Sequence, residues 1–166
     1  MDSRRRWQGA TRASAALLLA LLAACAEPDA APQLAGEGSY SPGLGEIMAA
    51  TQMRHLKLWY AGQGENWPLA SYEVDELEEG FADAARFHPQ HKDVPRPLTE
   101  LIPEFTAASI AALRAAIATH SVAQFDAAYD GLTQGCNACH AVAQFSFNVI
   151  TRPTSNPYSN QAFASQ

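Results

Sequence analysis

Five consecutive residues concentrate the chain's reactive chemistry: Cys136-Asn137-Ala138-Cys139-His140. Two thiols three residues apart, with an imidazole directly after the second, form Cys-x-x-Cys-His, the attachment signature for covalent haem. The spacing has a chemical reason. Two such thiols add to the two vinyl groups of one haem, and the adjacent histidine then reaches the iron as its proximal ligand. Three other chemistries use the same residue types. A dithiol redox pair of this spacing belongs in a βαβ setting, and the chain has no alternating strand pattern of any length. A structural zinc site takes four ligands, and no second Cys/His pair lies at finger-like spacing. A plain disulfide between Cys136 and Cys139 leaves His140 unexplained. The residues favour one covalent haem c held by Cys136, Cys139 and His140, with His140 as the iron ligand.

The elements that must position this motif follow from apolar periodicity. From Ser121, a good N-cap, the residues Val122, Phe125, Tyr129, Leu132, Cys136, Cys139 and Ala143 repeat in a three-four rhythm, the seam of a packed helix. Gly131 and Gly135 lower the propensity of that helix and are expected to clear space beside a large planar group. Three further helices precede it. One runs from about Pro42 to Ala61, with Met48, Gln52, His55 and Trp59 on one face and Gly62 and Gly64 after it. The next runs from about Trp67 to Phe87, with Asn66 as N-cap, Pro68 in the first turn and an apolar stripe of Leu69, Leu77, Phe81 and Ala84. Its other face carries Glu73, Asp75, Glu76, Glu78, Glu79 and Asp83, read as a solvated face. A loop marked by Pro95 and Pro97 leads to a third helix, Thr99 to His120, lined by Ile102, Thr106, Ile110, Leu113 and Ile117. The fold expected is all-α: an antiparallel four-helix bundle over residues 42–147 followed by an irregular tail, 148–166.

Residues 1–24 stand apart. Arg4, Arg5, Arg6 and Arg12 precede an uncharged Leu/Ala-rich run, Ala13 to Ala24, too short for a bilayer, which needs about 20 apolar residues, but suited to a secretory signal. The run ends in Leu22-Ala23-Ala24-Cys25, which resembles a bacterial lipobox. That resemblance implies cleavage before Cys25 and lipidation of its thiol; the alternative is ordinary cleavage near Ala24 or Ala26 and a soluble periplasmic protein. Residues 25–41, rich in Ala, Pro, Gly and acid, read as a flexible tether. Of 11 Lys+Arg and 17 Asp+Glu, four and one lie ahead of Cys25, so the mature chain carries a net charge of −9. Such acidity excludes nucleic acid as a partner and leaves acyl chains, not charge, for membrane attachment. All three cysteines have separate roles, so none remains for a structural disulfide although the leader sends the chain to an oxidising compartment.

A helical domain whose only Cys-x-x-Cys-His lies on the last of four helices resembles the class II c-type cytochromes, the cytochrome c-prime group. The likeness covers Pro42 to Phe147 and rests on the motif, its position and the helix count. Small class I cytochromes carry the motif near the N-terminus with a methionine downstream, and no methionine follows His140. The tail beyond Phe147 departs from the class II pattern and is expected to cover the haem edge or to carry a partner site.

The sixth iron position follows from depth in an antiparallel bundle. His140 lies about six residues from the expected end of its helix, and six residues into the first helix is Met48; at 1.5 Å per residue the depths match. Met48 is the first choice for distal ligand. His55 shares its face about 10 Å deeper by the same rise and is the weaker choice, and Met53 points elsewhere. If Met48 is ordinary core, the iron is five-coordinate. Arg54 and Lys57 are read as exposed rather than as propionate partners, His88 and His91 as exposed loop residues, and His120 as a C-terminal residue favouring its helix dipole. Trp59, Trp67, Phe125 and Tyr129 are read as core.

The expected function is a lipid-anchored electron carrier on the periplasmic side of a bacterial membrane, serving redox partner proteins, with a second copy of the chain as a further partner. The alternative is a five-coordinate haem protein that binds a small gas, NO or CO. No polar distal constellation marks a dedicated enzyme, so a non-enzymatic role is expected.

Overall fold

The computed structural model describes residues 40–91 and 94–166. The leader, Cys25 and the tether as far as residue 39 lie outside the described residues. The domain is four antiparallel helices, α1 (Leu44–Gln63), α2 (Trp67–Phe87), α3 (Leu98–Ala118) and α4 (Val122–Val142), followed by a non-helical tail. No strand occurs among the described residues, and the all-α bundle read from periodicity is what forms.

Helix boundaries follow local capping. Gly43 caps α1, its N–H donating to the Glu46 carboxylate at 2.8 Å, so the helix starts just after the expected Pro42. At its other end α1 runs on through Gly62 to Gln63, and the Phe125 ring occupies the space a Cβ at Gly62 would need. Asn66 caps α2, its side chain accepting from Leu69 N at 3.2 Å, and Ser121 caps α4 by accepting from Gln124 N, both as expected from residue type. Helix α3 ends at Ala118, two residues before the expected His120. His120 takes a left-handed φ of 53° outside the helix and stacks on Trp67, ring centroids 5.5 Å apart. It caps a core ring instead of meeting a helix dipole.

Helix α1 packs chiefly on α2 and α3 on α4; of the helix pairs that are neighbours in the bundle, α1 and α4 approach each other least. One core cluster centres on Leu58, Val74, Leu77, Leu113, Phe125, Tyr129 and Leu132. A second, at the end where α1 and α3 begin and α2 and α4 finish, holds Ile47, Ala84, Val94, Leu98, Leu101, Ile102 and Ala143. Each fully buried Leu contributes roughly 1.5–3 kcal/mol. Helix α3 has a mean hydropathy of 1.4, long and apolar enough by length and composition to cross a membrane; here its apolar stripe packs into both clusters.

Gly131 and Gly135 differ from expectation. A Cβ at Gly135 would stand 2.1 Å from the Phe105 carbonyl oxygen, and one at Gly131 would stand 3.0 Å from Ser109 Oγ. Both glycines therefore face α3 and admit its close approach; neither clears space at the haem motif.

The acidic face of α2 is not uniformly solvated. Glu73 is only 1% exposed and packs toward α1, with Arg54 at 3.8 Å. Arg54 also bonds Glu76 at 2.5 Å, and Arg114 of α3 pairs with Asp75 and Glu78. Arg54 is thus occupied by α2 carboxylates, and the Lys57 ammonium lies over the Tyr158 ring at 5.0 Å.

Candidate haem site

The three-four seam of α4 turns Cys136, Cys139 and His140 toward one cavity of about 390 Å³. Cofactor and ligand pockets range over roughly 300–1,000 Å³. Helix α1 contributes Leu44, Met48, Thr51, Gln52 and His55 to its wall; α2 contributes Leu77 and Phe81; α3 contributes Leu98, Ile102 and Thr106. The crossover loop adds His91 and Val94, and the tail adds Phe145, Asn148 and Ile150. The cavity occupies the region where α1 and α4 draw apart, lined by apolar residues of the second core cluster. Met48, chosen by matching depths, faces the same void as His140.

His140 does not use both ring nitrogens on the protein. Its Nδ1 lies 2.7 Å from the Asn148 carbonyl oxygen. A carbonyl only accepts, so Nδ1 carries a proton and donates, and in the neutral imidazole the lone pair is the one on Nε2. This is the orienting hydrogen bond that metal-ligating histidines usually make.

His55 offers no such nitrogen. Its Nε2 pairs with Thr133 Oγ1 at 3.0 Å and its Nδ1 with the Tyr129 hydroxyl at 2.9 Å. Burial lowers its pKa to about 4, so the imidazole is neutral near pH 7. With both nitrogens engaged, His55 forms part of the cavity wall and is not a ready iron ligand.

The thiols are free. Burial, with the charge of Cys139 next, pushes Cys136 up to about 11, and burial followed by the charge of Glu104 raises Cys139. Reactive redox cysteines depend on a depressed pKa, so these two are poorly suited to dithiol exchange. Among the described residues no three His, Cys, Asp or Glu side chains cluster as a metal-ligand set.

Two loop histidines sit differently from the expectation of simple exposure. His88 Nε2 bonds the Pro42 carbonyl at 2.8 Å, tying the end of α2 to the entry of α1. His91 lines the cavity and packs near Phe145, ring centroids 6.5 Å apart. No periodic signal marks a loop residue, so His91 escaped the sequence reading. The tail is expected from the sequence to cover this edge or to carry a partner site, but the bonds that hold it have no sequence signal. Asn137, a variable position of the motif, holds Ile150 through two side-chain bonds of 2.9 and 2.8 Å. Arg152 then pairs with Asp130 at 2.6 Å, Phe163 is buried against Tyr60, and Ser165 N bonds Gly64 O at 3.0 Å. The tail closes one side of the cavity and runs back to the end of α1. In comparison with known proteins, no family model, no curated protein and no solved structure matches this chain.

Proposed function

We propose that the chain is a monohaem c-type cytochrome, similar to the class II group, that carries single electrons on the periplasmic side of a bacterial membrane. The observation that carries this reading is the shared cavity: two thiols three residues apart on one helix, an imidazole with Nε2 free beside them, and a methionine on the opposite helix, all lining one apolar void. A haem attached there supplies a one-electron couple.

The chain's own residues supply the rest. Cys136 and Cys139 would bond the macrocycle. His140 presents Nε2, oriented through Asn148. Met48 presents a thioether from α1, a ligand pairing that raises the reduction potential and suits electron transfer. Leu77, Phe81, Leu98 and Ile102 exclude water, which limits reorganisation when the charge changes. The leader and lipidation of Cys25 belong to the same proposal, as do redox partner proteins that meet the acidic surface left by Glu79 and Asp83 on α2.

The test is the absorption spectrum of the purified mature protein from cells able to mature c-type cytochromes: oxidised, reduced, and reduced under carbon monoxide. A low-spin haem spectrum unmoved by carbon monoxide supports the electron carrier. A high-spin spectrum that shifts with carbon monoxide replaces it with the gas-binding reading. A preparation with no haem bands overturns both.

A further inference from the structure

Just beyond α4 the chain turns, the Asn148 N–H donating to the Phe145 carbonyl at 2.8 Å. From there it is pinned twice. The Asn148 carbonyl accepts from His140 Nδ1 at 2.7 Å, and the Ile150 backbone is held by the Asn137 amide at 2.9 and 2.8 Å. The side chains of this stretch divide. Phe145, Asn148 and Ile150 line the cavity. Phe147 and Val149 are not part of its wall and stand in solvent, 80% and 64% exposed. The Phe147 ring lies 5.7 Å from that of Phe145, centroid to centroid, which joins the outer pair to the cavity rim. Of the four large apolar side chains exposed among the described residues, two thus stand here, on either side of one residue. Single exposed apolar residues are ordinary, whereas grouped ones mark contact sites.

Charge and connection say what meets this patch. The chain as a whole is acidic, with a net charge of −6, yet from Ala141 to Gln166 it has one charged side chain, Arg152. Arg152 is paired with Asp130 at 2.6 Å. The stretch therefore has no free charge with which to attract a strongly basic or acidic partner. Its connection to the site is short: Phe147 and Val149 are each one peptide bond from Asn148, whose carbonyl holds the His140 ring. We propose that Phe147 and Val149 form a docking surface for a redox protein that presents an uncharged apolar face at the edge of its own one-electron centre, as a blue copper protein of that kind would. The proposal rests on the haem reading. It names one of the two partners that a carrier must meet, a donor and an acceptor, and the acidic face of α2 suits the other. One electron passes between the partner's metal and the haem iron by way of Asn148 and His140. One centre is oxidised as the other is reduced, and no proton moves. Because Asn148 and Ile150 are already anchored, docking needs no ordering of the backbone, a cost that would weaken a small transient interface.

The test is stopped-flow mixing of the haem-loaded ferric protein with a reduced blue copper protein whose copper lies beneath an uncharged apolar face. The second-order rate should be nearly independent of salt and should fall about tenfold or more in Phe147→Ser/Val149→Ser. The conservative pair Phe147→Leu/Val149→Ile should retain the rate. So should Tyr72→Ser, which removes an exposed aromatic on α2. Asn148 holds His140 through its backbone, so the serine double variant should keep the parent's absorption spectrum and reduction potential. Loss of rate at unchanged potential is loss of docking. The proposal is overturned, and the electron carrier left standing, by no transfer in the parent, by the parent's rate in the serine double variant, or by a rate that falls steeply with salt. A potential that shifts along with the rate also overturns it, since the two residues then act on the iron. So does a dimer seen by sedimentation that the serine substitutions dissociate, which gives the patch to a second copy. A preparation without haem bands removes the carrier and this proposal together.

Discussion

The side-chain amide of Asn137 grips the backbone of Ile150 from both sides, donating to its carbonyl at 2.9 Å and accepting from its N–H at 2.8 Å. Two residues earlier in the tail, Asn148 offers the carbonyl that orients His140. The helix thus holds the tail, and the tail holds the helix's own histidine. Asn137→Ala removes the clamp and is expected to cost about 1–3 kcal/mol, the penalty for unmade hydrogen bonds in a partly buried place. It should also raise the reduction potential. Without a carbonyl drawing on its Nδ1–H, His140 is a less basic ligand and stabilises the ferric state less. Potentiometric titration reads the second effect; a stability loss with an unchanged potential would confine the tail to a structural role.

Met48 shares the cavity with His140 from the opposite helix. Met48→Ala should turn a low-spin spectrum high-spin and open the reduced protein to carbon monoxide. His91 also lines the cavity, so the double variant Met48→Ala/His91→Ala controls for a replacement ligand. A low-spin spectrum that survives in both variants would remove Met48 from the iron.

Much of this arrangement was legible in the sequence, and the failures have physical causes. The α4 seam from Phe125 to Ala143 is a three-four repeat, and burial follows it because a helix can hide only one stripe. Asn66 and Ser121 cap because their side chains accept backbone N–H groups locally. Met48 lines the same cavity as His140, as matched depths suggest, because antiparallel helices convert residue number into height. Glu73 was read among its acidic neighbours as solvated, but it packs toward α1, which covers it and not its neighbours. Asn137, His91 and the tail had no periodic signal at all, since their positions are set by tertiary contacts and not by a local repeat. The Cys-x-x-Cys-His motif itself is read from chemistry, and the cavity is what the fold adds to it.

His55 links stability to pH. Burial lowers its pKa from 6.5 to about 4, so in the folded protein it stays neutral where the unfolded chain would take up a proton. The unfolded state binds more protons below pH 6.5, and stability is therefore lost as pH falls from 6.5 toward 4, by roughly 3 kcal/mol for the full shift. Denaturant titrations from pH 7.5 to 4 should show this slope, and His55→Gln should flatten it relative to the parent. Parallel slopes in the two proteins would mean that His55 is not neutral in the folded state.

Glu73 is buried with one carboxylate oxygen lacking any hydrogen bond. Burial raises its pKa, with the charges of Lys57 and Arg54 opposing. A raised carboxyl pKa means the ionised form is disfavoured by folding, so Glu73 lowers stability at neutral pH and the loss is relieved as pH falls through its folded pKa. Glu73→Gln is expected to be neutral or stabilising at pH 7. Arg54→Ala should destabilise by about 3 kcal/mol, because it strips the nearest cation from a buried carboxylate, and the double variant should recover most of that loss. Additive effects in the cycle would show that the pair does not interact.

Gly131 and Gly135 lie one turn apart on α4 and should respond oppositely to the same methyl group. Alanine raises helix propensity by about 0.8–1.0 kcal/mol at either position, so the packing partner decides the sign. At Gly131 the new Cβ would meet Ser109 Oγ at 3.0 Å, the end of a side chain that can rotate away, and Gly131→Ala is expected to be neutral or stabilising by up to about 1 kcal/mol. At Gly135 it would meet the Phe105 carbonyl oxygen at 2.1 Å. That atom belongs to the α3 backbone, so relief requires the two helices to move apart, and overpacking of this kind typically costs about 1–3 kcal/mol or more. The displacement would fall one residue from Cys136, at the cavity wall. Gly135→Ala should therefore disturb the haem spectrum as well as the melting temperature, whereas Gly131→Ala should leave the spectrum unchanged. Equal effects at the two positions would mean that α3 does not press on α4 at Gly135.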